Sequence, residues 1–237
     1  MTGTLINTGA IILGGVCGHL FGRLLKSRHQ ETLTMACGAG TLFIGMAGAL
    51  NYMLHNNLFP GGGSMLVVVC LALGGLVGES IDIEQGLERF GEWLKVKTGN
   101  AKDQGFVNGF LTASLTVCIG AMAIVGAIQD GLTGDWSTLG AKAVLDLIIV
   151  MVMTCSLGKG CMFSALPVFL WEGRLTLLSS ALRPLMTDAA MGYLSLVGNV
   201  LIFCVGINLV WGKKIRVANL LPAVVFAVIA SFLPITF

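Results

Sequence analysis

The chain has 237 residues, 14 Lys and Arg against 12 Asp and Glu, a net charge of +2, and is 55% hydrophobic and 11% charged; its mean hydropathy is +0.88. A water-soluble domain devotes about a quarter of its residues to charge, so polar groups cannot cover a globule of this size and the bilayer must be the solvent for most of it. The few basic residues lie in short clusters between apolar runs rather than on one face, which argues against a nucleic-acid partner.

A spanning helix takes about 20 predominantly apolar residues. On that measure the sequence predicts helices at about 5–21, 33–54, 65–77, 106–128, 143–157, 191–210 and 220–237. The first has no basic residue ahead of it, unlike a cleaved signal peptide, so it is expected to be retained. The stretch 158–188, GKGCMFSALPVFLWEGRLTLLSSALRPLMTD, is apolar enough to enter the membrane but is interrupted by Pro167, by Glu172-Gly173-Arg174 and by Arg183-Pro184. It predicts a discontinuous helix or a re-entrant pair, which is tolerated at membrane depth only where protein or a water-filled cavity satisfies the backbone. The one substantial polar segment is 79–104. Within it Ile83, Leu87, Phe90 and Leu94 recur at helical spacing, with Glu84, Glu88, Arg89, Glu92 and Lys95 between them. That pattern predicts an amphipathic helix lying along the cytoplasmic interface, with a partner-binding helix as the alternative. The expected fold is all-α: a single domain, 1–237, forming a polytopic transmembrane helical bundle of about seven or eight membrane segments, one of them broken or re-entrant.

Basic residues orient the bundle. Arg23, Lys26 and Arg28 follow the first apolar run, Arg89, Lys95, Lys97 and Lys102 follow the third, and Lys213, Lys214 and Arg216 precede the last. The intervening loops carry only Lys142. The positive-inside rule places the three basic loops in the cytoplasm and the N-terminus outside. The broken stretch must then cross outward once, which gives eight crossings with both termini outside.

Glycines recur at steps of four: Gly14, Gly18 and Gly22 on the first helix, Gly74 and Gly78 on the third, Gly105 and Gly109 at the start of the fourth. Small residues so spaced let helices approach closely. They serve either internal packing or a face that joins two copies in a homo-oligomer. Two faint echoes, LGGVCG from Leu13 with LGGLVG from Leu73 and IGMAGA from Ile44 with IGAMAI from Ile119, are consistent with an internal duplication or with chance in apolar sequence.

Polar groups in hydrocarbon are costly and each needs a reason. Gln104, Asn108, Thr112, Thr116, Gly120 and Ala123 fall on one side of the fourth predicted helix, with Gln129 and Asp130 near its outer end. Such a stripe lines a cavity or acts as interhelical glue, each hydrogen bond contributing about 0.6 kcal/mol. Lys142 and Asp146 stand at i, i+4, with Asp146 read as about one turn inside the fifth span. Asp146 is either neutralised by Lys142 or shares a proton with a substrate pathway. Asn7, His19, Asn199 and Asn208 are further polar candidates. No nucleophile–His–acid pattern, HExxH or phosphate loop is present, the seven cysteines form no CxxC pair, and the three histidines have no ligand spacing. No enzyme activity, metal or cofactor is expected.

The stretch Gly109 to Asp135, GFLTASLTVCIGAMAIVGAIQDGLTGD, resembles the signature of a bacterial membrane-protein family known as the domain of unknown function 554 family. Lys142 to Asp146 (KAVLD), GKGCMFSALPV from Gly158, IRVANLLPA from Ile215 and the opening Gly3-Thr4-Leu5-Ile6-Asn7 match it as well, so the resemblance covers essentially the whole chain. It implies a bacterial inner-membrane protein, brings no established activity, and directs attention to Gln129, Asp130, Asp146 and Ser164. The functional expectation is a small-solute or ion transporter or channel. Its pathway candidates are Asn108, Thr112, Thr116, Gln129, Asp130, Asp146, Ser164 and Asn199. The alternative is an accessory or scaffolding membrane protein that docks through the Glu84 to Lys97 helix. Expected partners are the lipid bilayer, a small solute or ion, and a second copy of the chain.

Overall fold

The computed structural model describes residues 1–22, 24–55, 63–118 and 121–232. Arg23, residues 56–62, Gly120 of the polar stripe and the last five residues of the predicted final span lie outside the described residues. The described chain is an all-helical bundle. Five helices are long and apolar enough to cross a membrane alone: α1 (Thr2–Gly22), α2 (Ser27–His55), α3 (Gly63–Ile81), α7 (Ser137–Leu157) and α10 (Asp188–Trp211). Two bent pairs raise the number to seven. In one, α5 (Phe106–Cys118) meets α6 (Ala121–Thr133) at 62°. In the other, a 3-10 turn (Lys159–Ser164) continuing into α8 (Ala165–Leu177) meets α9 (Ser179–Leu182) and a second 3-10 turn (Arg183–Leu185) at 69°. The polar helix α4 (Ile83–Lys97) separates α3 from α5, and α11 (Val217–Leu220) with α12 (Pro222–Ala230) forms a shorter apolar stretch.

Two expectations need correction. The sequence suggested one broken segment, and there are two, because the span expected at 106–128 is bent. Apolar content does not reveal such a break. In the last turn of α5, Lys142 Nζ donates to the Val117 carbonyl at 2.8 Å. The fifth span begins at Ser137 rather than near 143. Ahead of it, Asp135 Oδ1 accepts from the Ser137 backbone N–H at 3.0 Å. That bond, with one from the Ser137 hydroxyl, holds the exposed Asp135 carboxyl below its usual pKa. Asp146 therefore lies nine residues, about 13 Å, into α7, near mid-helix instead of one turn from its end.

Close packing follows the glycines. A Cβ on Gly14 would lie 2.3 Å from the Leu147 carbonyl oxygen, and one on Gly18 would lie 2.2 Å from that of Met151. Gly22 similarly faces Cys155. The rows 14, 18, 22 and 147, 151, 155 advance together, so α1 and α7 run parallel with backbones nearly touching. Gly74 faces Ala223 and Gly78 faces Asn219, which sets α3 antiparallel to α11 and α12. Gly45 and Gly48 abut Asn199 as α2 lies along α10. The glycines of α1 and α3 are thus used within the chain. The two members of the first echo pack on different elements, LGGVCG on α7 and LGGLVG on α11 and α12. Ile11, Val117, Val150, Met153 and Leu201 fill the centre. Leu13, Phe43, Val68, Leu76 and Val144 point outward, each more than half exposed, as a lipid-facing belt requires.

The segments bearing the predicted basic clusters meet at one end. There α4 turns Leu94 and Phe90 onto Phe106 and Phe110 of α5. Asp82, with φ 53°, caps α4 by accepting from Gln85 N at 3.2 Å. Asn219 Oδ1 accepts from Glu84 N at 2.7 Å, Lys213 Nζ sits 2.6 Å from both Glu84 and Glu88, and Arg216 pairs with Glu79. Burial works against the Lys213 charge, but the hydrogen bonds it donates to Glu84 and Glu88 outweigh it and raise its pKa. Gly158 (φ +92°) closes α7 and Gly212 (φ +76°) closes α10 with backbone that a side chain rarely adopts.

Candidate functional site

Four helices bring polar groups together at mid-bundle. From α7, Lys142 reaches Asp146 in a close ion pair and donates to the Val117 carbonyl at the end of α5. The same Nζ lies 3.6 Å from Glu172 Oε1 of α8, which also accepts from Asn7 Nδ2 of α1 at 2.8 Å. One turn outward, the hydroxyls of Thr4 and Thr176 lie 3.3 Å apart. Asn7, Lys142, Asp146 and Glu172 are all buried, Asn7 and Glu172 at 0% and 1% exposure.

Each position has a local cause. Lys142 and Asp146 share a helix face because they stand four residues apart. Val117 lies in the last turn of α5, where Lys142 donates to its carbonyl. On α8, Glu172 and Thr176 are likewise four apart, and Gly3, close against Leu139 of α7, lets the start of α1 settle into this corner.

The electrostatics are unbalanced. One ammonium faces two carboxyls, and each buried charge without a partner costs several kcal/mol. Two oxygens in the cluster, Glu172 Oε2 and Asn7 Oδ1, are buried with no hydrogen-bond partner in the protein. Buried polar atoms are paired in the great majority of cases, so these two stand out within the cluster. No three His, Cys, Asp or Glu side chains converge as a metal site among the described residues.

The residues predicted from sequence are distributed over several places. Asp146 belongs to this cluster. Asp130 of α6 lies at the start of α1, where its Oδ2 accepts from Gly3 N at 3.0 Å and stands 2.9 Å from the Met1 amino nitrogen. Gln129 accepts from Thr138 at 2.7 Å. Asn108 and Thr112 line a cavity of about 200 Å³ at the basic end, together with Thr34, Glu84, Asn208 and Lys213. Thr116 donates to the Thr112 carbonyl of its own helix at 2.7 Å. Ser164 is fully buried, its hydroxyl unpartnered in the protein, and Asn199 donates to Ser195 O at 2.8 Å. The polar stripe of the fourth span is therefore not one path, because the bend between α5 and α6 divides it.

Glu172 escaped the sequence reading, which treated it as part of a helix break. The signal was present: a lone carboxylate in an apolar membrane segment is by default a functional-site candidate. Asn7 stood among the polar candidates, but nothing in the sequence paired it with Glu172, 165 residues away.

The family model described as "Protein of unknown function (DUF554)" matches residues 2–232. The chain is 29% identical over 232 residues to "Uncharacterized membrane protein YdfK" of Bacillus subtilis (strain 168), covering 98% of this chain and 96% of that protein. It is also 29% identical over 229 residues to "Uncharacterized protein YqgA" of Escherichia coli (strain K12), covering 95% and 94%. No solved structure matches. With nearly its whole length matched by the family model and by a relative named as a membrane protein, the chain belongs to the DUF554 family.

Proposed function

We propose that this membrane protein is a non-enzymatic transporter or channel for a small solute or ion, in the bacterial inner membrane with its N-terminus outside. The observation that carries the reading is the buried Lys142–Asp146–Glu172 cluster, set where two broken spans meet two continuous helices. Broken helices offer free backbone groups at mid-membrane, the arrangement that secondary transporters use for substrate and ion sites. Ionisable groups at that depth are expensive and are kept where they move or bind charge. The cavity at the basic end adds support: its lining climbs α5 as far as Leu115, two residues before Val117, whose carbonyl holds Lys142. The orientation draws support from the meeting of the basic segments at one end.

The test is flux through purified protein in phosphatidylethanolamine–phosphatidylglycerol vesicles, read with pH- and cation-sensitive dyes and with a panel of labelled small solutes. Wild-type vesicles are expected to show protein-dependent flux of at least one species. Asp146→Asn is expected to abolish it while keeping the fold, judged by melting on the same sample. A folded Asp146→Asn protein with undiminished flux removes the cluster from the pathway. Silence across the whole panel returns the chain to the scaffolding alternative.

A further inference from the structure

We propose that Glu172 is a proton-binding site, and that the ion this protein takes up and releases is a proton carried on Glu172 Oε2; the inference rests on the transport reading for its use but not for its existence. The argument begins with the two unpartnered oxygens. Glu172 Oε2 and Asn7 Oδ1 belong to groups already joined, since Asn7 Nδ2 donates to Glu172 Oε1 at 2.8 Å. A carboxylic acid and a primary amide form a paired motif in which N–H donates to one carboxyl oxygen and the acid O–H donates to the amide oxygen. One half of that motif is in place, and a single proton on Oε2 supplies the other half. It satisfies both unpartnered atoms at once, at two side chains with 0% and 1% exposure.

The charge count agrees. With Glu172 protonated, Lys142 and Asp146 form a neutral pair and the cluster carries no net charge. With Glu172 ionised it carries one uncompensated negative charge in a dry interior, which is costly. A cation would also restore neutrality, but Lys142 already stands 3.6 Å from Glu172 and against Asp146, and a second positive charge there would be repelled. A proton fits because it needs only Oε2, the carboxyl oxygen without a partner, while Asn7 and Lys142 both approach Oε1.

The groups around Glu172 come from every element packed on α8. Thr4 and Asn7 come from α1, Lys142 and Asp146 from α7, and Cys118 from the end of α5 within electrostatic reach. Of the other elements on α8, α6 carries Asp130, engaged with Gly3 and Met1, the preceding 3-10 turn carries the buried Ser164, and α9 the buried Ser179; Thr176 of α8 donates to the Glu172 backbone carbonyl, and Arg174 is exposed. None of them offers Oε2 a hydrogen bond. Deprotonation breaks the Oε2–H bond and passes the proton to water, leaving one negative charge behind. That state is stable only if water or a cationic substrate reaches the cluster, so proton release is tied to opening of the bundle.

The experiment is infrared difference spectroscopy of the full-length protein in lipid, between mildly acidic and mildly alkaline pH, in H2O and D2O. The wild type is expected to show the C=O stretch of a protonated carboxylic acid that shifts in D2O and also shifts on labelling with [13C]glutamate. Glu172→Gln, whose amide can make both hydrogen bonds to Asn7, is expected to fold and to lose that band. Should the variant fail to fold, the isotope shift in the wild-type protein still assigns the band to a glutamate. Absence of any glutamic-acid band, or its persistence in folded Glu172→Gln, overturns the proposal, as does saturable stabilisation of the wild type by sodium in place of the band. Loss of the band with flux retained removes the proton and leaves transport standing. A band with silent vesicles keeps the proton site and removes the transport reading instead.

Discussion

Replacing Lys142 by Met tests the cluster most directly, because one side chain serves three partners. Its ammonium neutralises Asp146, stands 3.6 Å from Glu172 and donates to the Val117 carbonyl at 2.8 Å. Removing one partner of a buried ion pair costs about 3–5 kcal/mol, because the charge left behind has neither water nor a counter-ion. The freed Val117 carbonyl adds a cost of about 1–3 kcal/mol if nothing replaces the donor. Methionine has nearly the length of lysine and leaves no large void, so the loss reports on charge and hydrogen bonding rather than on packing. Taking the ion pair alone, and about 2–4 °C per kcal/mol for a chain of this length, Lys142→Met should melt about 6–20 °C below wild type in mild detergent at neutral pH. The deficit should shrink as pH falls, because protonating Asp146 removes the uncompensated charge. Lys142→Met combined with Glu172→Gln should be less than additive, since both changes act on one network. A single variant that melts within about 2 °C of wild type at neutral pH would show that water reaches these groups, and the argument from a dry, unbalanced cluster would fail.

Two further outcomes follow from the packing and the orientation. Gly18→Ala should destabilise by about 1–3 kcal/mol, since its Cβ would stand 2.2 Å from a backbone carbonyl that cannot turn aside. Gly9→Ala on the same helix, with nothing within 4 Å of the added carbon, should be neutral or stabilise by up to about 1 kcal/mol, and equal melting of the two would refute the close approach of α1 and α7. In a background without native cysteines, Lys214→Cys should resist a membrane-impermeant thiol reagent in intact cells and react after permeabilisation; labelling from outside would invert the orientation proposed for the basic end.

Much of the architecture is determined by the sequence alone, because it depends on local quantities. Low charge and long apolar runs impose membrane burial. Backbone groups in lipid must bond within their own segment, so the runs become helices. The 3.6-residue period of Ile83, Leu87, Phe90 and Leu94 marks α4 as a two-faced helix. The last broken stretch is expected from its interruptions, but α8 runs unbroken through Pro167 and Glu172-Gly173-Arg174, and the bend falls at Leu178. The motif from Gly109 to Asp135 is enough to place the chain near its family. What tertiary structure alone decided is which distant groups meet. Asn7 and Glu172 are joined across 165 residues, and neither carries a local mark that names the other. Lys142 has an obvious neighbour in Asp146, yet its other partner, the Val117 carbonyl in the last turn of α5, lies 25 residues away, and an apolar run gives no warning of that pairing. Asn108 and Thr112 face the basic end, beside Lys213, and Asp130 meets the start of α1. Helical periodicity assigns residues to a face of one straight helix. Where the helix breaks, and what packs against each half, is set by non-local hydrogen bonds and by the glycine contacts that hold α1 against α7.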